Sequence, residues 1–250
     1  MTIVERDTRT PNRRDFLAAG GLAALWPGNW FSKHVDLAGI RFRRIKAGPD
    51  GRHFLWIHGN ERTAHDVLVE FMKPRTGRAF LVESTVRNVP LGGGKIDPNR
   101  MFSREGAQKS LKRLNAGWTD PQLKAALDRL DRSRNGFLSQ ILPRGGEVLV
   151  ALHNNSEGYS MTEEIPVSDA TALNDKAHPH EFMLCTQRAD FQILAGGPFN
   201  VLLQNTGPKD DDGSLSRLCA KRGIRYVNIE ATLGNADAQR RMLQWVDRVL

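Results

Sequence analysis

Two histidines and two glutamates stand where apolar runs of this sequence end. His58 and Glu61 follow the run HFLWI, His153 ends the run VLVAL, and Glu230 follows RYVNI. Imidazole and carboxylate groups are common zinc ligands, and a catalytic zinc site has three protein ligands and an open fourth position. Two imidazoles and one carboxylate would leave the other carboxylate as a general base. The His-x-x-Glu pair alone is weak evidence, because such residues at a turn commonly cap a helix.

The spacing of apolar residues predicts strands that alternate with helices. Strand patterns are IRFRRIKAG, RHFLWIHG, GRAFLVEST, EVLVALHNN, FNVLLQN and IRYVNIEAT, and helical patterns are TAHDVLVEFM, residues 122–132 and the closing AQRRMLQWVDRVL. Such alternation predicts an α/β fold with a mixed, mostly parallel central sheet sandwiched by helices. Because the carboxyl ends of parallel strands face a common crevice, we expect the four residues to meet there.

Two turn signals separate these runs. The tripeptide PDG at 49–51 lies between the first two strand patterns and predicts a hairpin. The segment KDDDGSLS at 209–216 has the composition of a mobile loop. Its acidic residues would repel anionic substrates if the loop closed over the site.

The composition is that of a globular protein with a normal core. Of the 250 residues, 40% are hydrophobic and 26% are charged. The 36 Lys and Arg residues exceed the 28 Asp and Glu residues and give a net charge of +8, which permits attraction to acidic partners. The basic residues are scattered and form no block typical of nucleic-acid binding, so we expect no specific nucleic-acid partner.

Residues 1–32 have the pattern of an export signal. The pentapeptide RRDFL at 13–17 precedes an Ala/Gly/Leu run of about ten residues, too short to span a bilayer as a mature helix. The segment resembles a twin-arginine signal, which implies a periplasmic or extracellular protein with its mature domain at 33–250. The alternative is a basic amphipathic arm on a cytoplasmic protein. Cys185 and Cys219 are compatible with one disulfide in an oxidising compartment or with two buried thiols.

The ordered motifs resemble the zinc carboxypeptidase superfamily. HGNE at 58–61 is similar to the first zinc motif of its succinylglutamate desuccinylase/aspartoacylase branch. DPNRMF at 97–102 is similar to the D-L-N-R-x-F motif of that branch, with Pro98 in place of Leu, and RNVP at 87–90 is similar to the Asn-Pro segment that precedes it. A strand-terminal His and a strand-terminal Glu follow in the same order. The resemblance covers residues 39–250 and implies a zinc carboxypeptidase-like catalytic domain.

The resemblance implies a role for each residue of the first zinc motif and the two strand ends. His58, Glu61 and His153 would bind one zinc ion per chain, and Glu230 would be the catalytic base. Zinc would lower the pKa of a bound water toward ~7 and polarise the scissile carbonyl, so amide hydrolysis would follow.

Substrate-binding residues are also implied. Asn99 and Arg100 would bind a substrate carboxylate, Arg100 through its bidentate guanidinium. Arg87 would stabilise the developing oxyanion, with Lys95 as the other candidate. Tyr159 is the candidate for the tyrosine that assists in classical carboxypeptidases, ahead of Tyr226 within the last strand.

Most of these residues also have a structural explanation. Asn99 and Arg100 could tie down a Gly-rich loop, and His153 could be a satisfied strand-end histidine. Glu230 could pair with a buried arginine instead of acting as a base.

Three further histidines are expected to lie outside any metal site. His65 is predicted on a solvated helix face. His178 and His180, in AHPHEF, are predicted in an exposed polar loop.

The function expected from these observations is zinc-dependent hydrolysis of amide bonds, as in a metalloprotease of the carboxypeptidase type. Its substrates would be peptides with a free carboxylate, including cell-wall peptides. One alternative is a small-molecule deacylase of N-acyl amino acids. A second is a non-catalytic module that binds peptides or glycans, although such a module has no reason to keep both histidines and the base.

Overall fold

The computed structural model describes residues 31–47, 51–156, 158–206 and 211–250. The expected export signal therefore lies outside the described residues, apart from its last two positions. The strands are β1 (Phe31–Leu37), β2 (Ile40–Ala47), β3 (His53–Trp56), β4 (Gly77–Val82), β5 (Val89–Leu91), β6 (Gly94–Ile96), β7 (Leu149–Asn155), β8 (Ala170–Ala172), β9 (Phe182–Cys185), β10 (Asn200–Leu203) and β11 (Tyr226–Thr232). The helices are α1 (Arg62–Met72), α2 (Arg104–Leu114), α3 (Asp120–Ile141), α4 (Met161–Glu164), α5 (Arg188–Leu194), α6 (Leu215–Arg222) and α7 (Ala236–Val249). Two short 3-10 helices span Pro98–Arg100 and Ile165–Val167.

Nine of the described strands form one mixed sheet in the order β1-β2-β4-β3-β7-β11-β9-β10-β8. The four central strands β4, β3, β7 and β11 are mutually parallel. With β1 and β8 they make six strands that run in one direction, against β2, β9 and β10. The predicted α/β fold with a mostly parallel central sheet is confirmed.

Helices cover both faces of this sheet. Phe54 of β3 packs on Phe71 of α1, with ring centroids 5.7 Å apart, while the adjacent His53 donates from Nδ1 to the Ile141 carbonyl of α3 at 2.8 Å. Because successive strand residues point to opposite faces, α1 and α3 lie on opposite sides. Helix α7 packs with α1, and α6 packs on β11.

The hairpin predicted at 49–51 is wrong. Strand β4 lies between β2 and β3, antiparallel to β2 and parallel to β3. All four residues of β3 are buried, which requires a position inside the sheet with a helix on each face. The actual hairpin joins β1 and β2 through Ala38 and Gly39, whose φ angles are 57° and 89°. Asp36 Oδ1 accepts the Gly39 N–H at 2.8 Å and closes this turn.

The two cysteines do not form a disulfide. Cys185 on β9 and Cys219 on α6 are both buried free thiols, so the second of the two alternatives for them holds. Within the described part of the chain, no helix combines the length and the apolar character needed to cross a membrane.

Candidate metal centre

His58, Glu61 and His153 meet at the carboxyl ends of the central strands. His58 Nδ1 lies 2.7 Å from Glu61 Oε1 and 3.2 Å from His153 Nδ1, and His153 Nδ1 lies 3.1 Å from Glu61 Oε2. All three residues are buried, with 2%, 3% and 4% of their surface exposed. Within the described residues this is the one group of three His, Cys, Asp or Glu side chains placed to hold a metal ion.

The turn between β3 and α1 fixes the first two ligands. A side chain at Gly59 would place its Cβ 2.3 Å from the Ser84 carbonyl oxygen, so only glycine allows this close approach. Trp56 Nε1 donates to the Glu61 carbonyl at 2.8 Å. Glu61 is the N-cap of α1, yet its side chain makes no capping hydrogen bond. The carboxylate is therefore directed to the histidines, and the helix-cap explanation does not apply.

The third ligand is tied to the same helix. His153 lies on β7, and the next residue, Asn154, points to the opposite face of the sheet. Asn154 Oδ1 accepts the Ala64 N–H of α1 at 2.7 Å, and its Nδ2 donates to Gln239 of α7 at 2.8 Å. The start of α1 and the end of β7 are thus held together beneath the three ligands.

The donor set fits a divalent ion with the preferences of zinc. The Nδ1 atoms of His58 and His153 face each other and the Glu61 carboxylate. Their lone pairs point to one place, where a metal ion would accept them. Two imidazoles and one carboxylate match a zinc site that keeps an open position.

Asp97 orients His58 from the side away from this cluster. His58 Nε2 donates to Asp97 Oδ1 at 2.8 Å, and the same oxygen accepts the Asn99 N–H at 2.8 Å. A carboxylate on the second ring nitrogen fixes the tautomer of a metal-binding histidine. The position of Asp97 in the DPNR motif is a signal in the sequence for this role, which the resemblance does not assign.

The electrostatics of the cluster follow from these contacts. Burial alone would lower the pKa of His58. The charges and hydrogen bonds of Glu61 and Asp97 together have a larger effect, so the pKa of His58 is raised. Burial would raise the pKa of Glu61, yet His153 and His58 hold it well below its usual range. Likewise, the hydrogen bond and charge of His58 overcome burial and lower the pKa of Asp97.

Glu230 stands beside the ligands in a different environment. It is the register partner of His153 on the adjacent strand, and it is 6% exposed. Burial raises the pKa of Glu230 to about 7; the charge of Glu61 also raises it, while the charge of His153 lowers it. Asn228 Nδ2 donates a hydrogen bond to Glu230 Oε1 at 3.0 Å. No arginine pairs with Glu230 in the described part of the chain. A carboxyl group with such a pKa can both accept and release a proton near neutral pH.

Asn99 and Arg100 border the same cavity. Asn99 Oδ1 accepts the Leu215 N–H at 3.1 Å, so this side chain does tie down a neighbouring segment. Arg100 donates from Nη1 to the Asn99 carbonyl at 2.8 Å, and Nη1 lies 3.7 Å from Asp212 Oδ2. The guanidinium therefore lines the cavity beside one acidic side chain.

Arg87 contacts the metal cluster itself. Its Nη1 donates to Glu61 Oε1 at 2.9 Å, and its Nη2 lies 3.7 Å from Asp97 Oδ2. Nearly half of the side chain, 47%, is exposed at the cavity mouth. The other candidate, Lys95, lies on β6 and does not line the cavity.

Tyr159 lines the cavity and Tyr226 does not. The Tyr159 hydroxyl donates to Glu164 Oε1 at 2.8 Å. Burial, followed by the charges of Glu230 and Glu164, raises the pKa of Tyr159. Tyr226, the first residue of β11, is buried in the core, and this burial also raises its pKa.

The cavity has a volume of about 410 Å³ and includes residues that sequence analysis missed. All of the following are polar, and all except Asn155 on β7 and Asn228 on β11 come from segments without clear periodicity: Asn155, Ser156, Glu164, Gln204, Asp212, Ser214, Ser216, Arg217 and Asn228.

The described part of the acidic segment, residues 211–216, is held firmly. A Cβ added at Gly106 would lie 2.1 Å from the Gly213 nitrogen, so α2 and this segment meet at two glycines. The Gly213 carbonyl accepts the Phe102 N–H at 3.1 Å, and Asp211 accepts the Ser103 hydroxyl at 2.8 Å. The segment expected to be mobile is therefore a fixed wall of the cavity over these residues.

The remaining histidines do not join the site. His65 is not on a solvated face, because its ring packs on Trp56 with centroids 4.6 Å apart and its side chain is 18% exposed. His178 is exposed as predicted. His180 is partly buried and donates from Nδ1 to the Tyr159 carbonyl at 2.7 Å.

Comparisons with known proteins give structural neighbours only. No family model matches the sequence, and no curated protein matches it. Among solved structures, the apo ectoine utilization protein EutE (DoeB) from Ruegeria pomeroyi has 15% identity and a TM-score of 0.45, over 86% of this chain and 65% of that one. A succinylglutamate desuccinylase/aspartoacylase from Rhodobacter sphaeroides has 14% identity and a TM-score of 0.46, over 87% and 63%.

A third neighbour is N-formylglutamate amidohydrolase from Ralstonia eutropha JMP134, with 14% identity and a TM-score of 0.41, over 83% of this chain and 96% of that one. The chain thus spans slightly less than two thirds of the length of the first two neighbours. Likeness of this degree carries no argument about activity, so the function is argued from the residues of the cavity.

Proposed function

We propose that this protein is a zinc-dependent hydrolase of amide bonds, acting as a deacylase on N-acyl amino acids with a free carboxylate. The observation that carries the proposal is the meeting of His58, Glu61 and His153 with Glu230 at their side. Three neutral or anionic ligands and a separate carboxyl group with a pKa of about 7 are the components that amide hydrolysis requires.

The three ligands would hold one zinc ion through His58 Nδ1, His153 Nδ1 and the Glu61 carboxylate. A bound zinc ion would supply Lewis acidity to the reacting carbonyl group. Asp97 would keep His58 Nδ1 free of hydrogen, because the hydrogen of the ring is committed to Asp97 through Nε2.

The protein's own side chains would move the proton and position the substrate. Glu230 would accept a proton from the attacking water and deliver it to the leaving amine, while Asn228 holds its Oε1 in place. Arg100 would bind the substrate carboxylate, with Asn99 fixing the neighbouring backbone. Arg87 would turn its exposed guanidinium edge toward the developing oxyanion.

The size of the cavity favours a small substrate over a peptide. Its volume of about 410 Å³ is near the low end of the ~300–1,000 Å³ range of small-molecule sites. The fixed segment 211–216 and Tyr159 close two of its sides. An acylated amino acid fits such a space, whereas a peptide would need an open groove.

Carboxypeptidase activity is the second candidate. Leu233 lines the cavity and is 50% exposed, and Val86, next to Arg87, is 51% exposed. Apolar residues at the rim would suit the side chains of a short peptide whose end alone enters the cavity.

The experiment combines metal content with hydrolysis. Residues 31–250, which keep strand β1 whole, should hold about one zinc per chain after loading and removal of excess zinc, and His58→Ala should lose it. The loaded protein should hydrolyse N-acetyl amino acids faster than dipeptides. Glu230→Gln should keep the zinc and lower kcat about 10²–10⁴-fold, the usual contribution of a general base. Zinc without hydrolysis of either substrate would favour the non-catalytic module, and no zinc would remove the proposal.

Export of the 33–250 domain remains a separate proposal from the sequence. It is tested by cell fractionation of the full chain beside a variant with Arg13→Lys and Arg14→Lys. Retention of only the variant in the cytoplasm would support the twin-arginine route, and equal distribution would favour a cytoplasmic protein.

A further inference from the structure

One wall of the cavity presents hydrogen-bond acceptors. The Tyr159 hydroxyl donates to Glu164 Oε1 at 2.8 Å, and Gln204 Nε2 donates to Glu164 Oε2 at 2.6 Å. All three residues line the cavity. Because its hydrogen is committed to Glu164, the Tyr159 oxygen can offer a ligand only its lone pairs. Glu164 adds a negative charge to the same wall.

Two amide oxygens at the same cavity also lack donors. Asn155, which is 5% exposed, donates from Nδ2 to the His180 carbonyl at 2.7 Å, and Asn228 donates from Nδ2 to Glu230. Their Oδ1 atoms are buried and have no hydrogen-bond partner among the described residues. A buried acceptor without a partner is energetically unfavourable, so these positions favour a ligand or water that donates.

Two cationic donors also line the cavity. Arg100 comes from the 3-10 helix Pro98–Arg100, and Arg217 comes from α6. Arg217 Nη1 is buried and has no hydrogen-bond partner among the described residues. The cavity lining therefore includes cationic donors from the 3-10 helix and α6, with Asp212 beside Arg100, as well as acceptors and the negative charge of Glu164 from β7, β11 and the segment 159–164.

We infer that the substrate carries a positively charged amine in addition to its carboxylate, and that Glu164 is the residue that selects it. The inference rests on the proposed deacylase function and names its substrate class, Nα-acyl amino acids whose side chain ends in an amine. The carboxylate lies against Arg100, and the ammonium group donates to the wall of Tyr159, Glu164 and the asparagine oxygens.

The net charge of the chain does not explain a preference for a cationic substrate. At +8, the protein as a whole attracts anions and repels cations. Preference for a cationic side chain must therefore come from groups inside the cavity. Glu164 is suited to this because both of its oxygens are oriented by neutral donors and neither is paired with an arginine in the described residues.

The first test compares isosteric substrates. For the zinc-loaded protein, kcat/KM should be at least about tenfold higher for Nα-acetyl-L-ornithine than for Nα-acetyl-L-norleucine, and Nα-acetyl-L-glutamate should be poorer still. Glu164→Gln should reduce the ornithine-to-norleucine ratio to within about threefold. Tyr159→Phe, which removes an acceptor and keeps the charge, should reduce it less.

A matched control is the adjacent Glu163. Its Oε2 accepts the Ser160 N–H at 2.6 Å outside the cavity lining, and glutamine can keep this cap. Glu163→Gln removes the same charge from the same short helix and should leave the ornithine-to-norleucine ratio unchanged. An equal fall in both variants, or a wild-type ratio near one, would overturn the inference.

A binding measurement separates this inference from the proposed function. Calorimetry on Glu230→Gln should show tighter binding of Nα-acetyl-L-ornithine than of Nα-acetyl-L-norleucine, and the added Glu164→Gln change should abolish the difference. Equal binding with efficient hydrolysis of both compounds would disprove the selection of an amine by Glu164 but would still support the proposed deacylase function. If the zinc-loaded wild type hydrolyses none of the three compounds, the proposed deacylase function is disproved. The binding preference would still show whether Glu164 selects an amine.

Discussion

Glu230 and His153 are register partners on the neighbouring parallel strands β11 and β7. The candidate base and a candidate metal ligand are thus placed side by side by backbone pairing in the middle of the sheet. All seven residues of β7 are buried, which makes this arrangement rigid. Substitution at Glu230 therefore changes the chemistry of the site more than its geometry.

The first prediction concerns stability and pH in protein freed of metal by a chelator. The folded-state pKa of Glu230 is about 7, above the ordinary value of 4.5. Its favourable contribution to the free energy of unfolding is therefore complete below about pH 4.5 and is lost as the pH rises through 7. At pH 8, Glu230→Gln should raise the free energy of unfolding by about 2–3 kcal/mol. Urea unfolding at pH 4 and pH 8 measures this, and a gain that does not depend on pH would contradict it.

Asp97→Asn should weaken zinc binding. Asparagine can still accept hydrogen bonds from His58 Nε2 and from the Asn99 N–H, but it removes the charge that polarises the imidazole. The zinc dissociation constant should rise about 10–100-fold, the usual effect of losing such a partner. Competition with a chromophoric chelator measures it. Asp36→Asn, in the β1–β2 turn, is the control and should bind zinc as the wild type does.

Two glycine-to-alanine changes in helices should have opposite effects. Gly106 of α2 has no room for a Cβ, which would meet the backbone of Gly213, so Gly106→Ala should destabilise the protein by about 1–3 kcal/mol. It should also raise KM, because segment 211–216 is displaced from Arg100. Gly136 of α3 is exposed with open space around it, and Gly136→Ala should stabilise by about 0.5–1 kcal/mol through helix propensity. Thermal unfolding compares them, and equal shifts would disprove the close contact.

The two thiols should be unreactive in the folded protein. Burial raises the pKa of both Cys185 and Cys219, which suppresses the thiolate that reacts with alkylating reagents. Native protein should take up almost no Ellman's reagent within minutes, and denatured protein without reductant should take up two equivalents. Fewer than two equivalents after unfolding would indicate a disulfide.

The meeting of His58, His153 and Glu230 could be predicted from the sequence because apolar runs mark where buried strands end. His58, His153 and Glu230 each follow such a run, and parallel strands bring their carboxyl ends together. The same runs predicted the α/β fold. The resemblance of the ordered motifs then assigned ligand and base roles that the strand ends alone left open.

The acceptor wall could not be predicted in this way. Glu164 lies in a four-residue helix, and Gln204 follows a short strand, so neither has a periodic pattern that places it. Their proximity depends on how β10 and α4 pack together. The bond between Asp97 and His58 is likewise a tertiary contact between residues 39 positions apart. The failed hairpin has the same origin, because local turn composition does not show that β4 separates β2 from β3.

The link from Asn154 to Ala64 and Gln239 has an evolutionary consequence. It joins β7, which carries His153, to α1, whose N-cap is Glu61, and to α7. Most of the residues that would select substrates come from the 3-10 helix Pro98–Arg100, the segment 159–164 and α6, which take no part in that link, whereas Asn155 lies on β7 itself. Mutations can therefore accumulate in the selecting segments, and new substrates can be acquired, while the inherited metal chemistry is preserved.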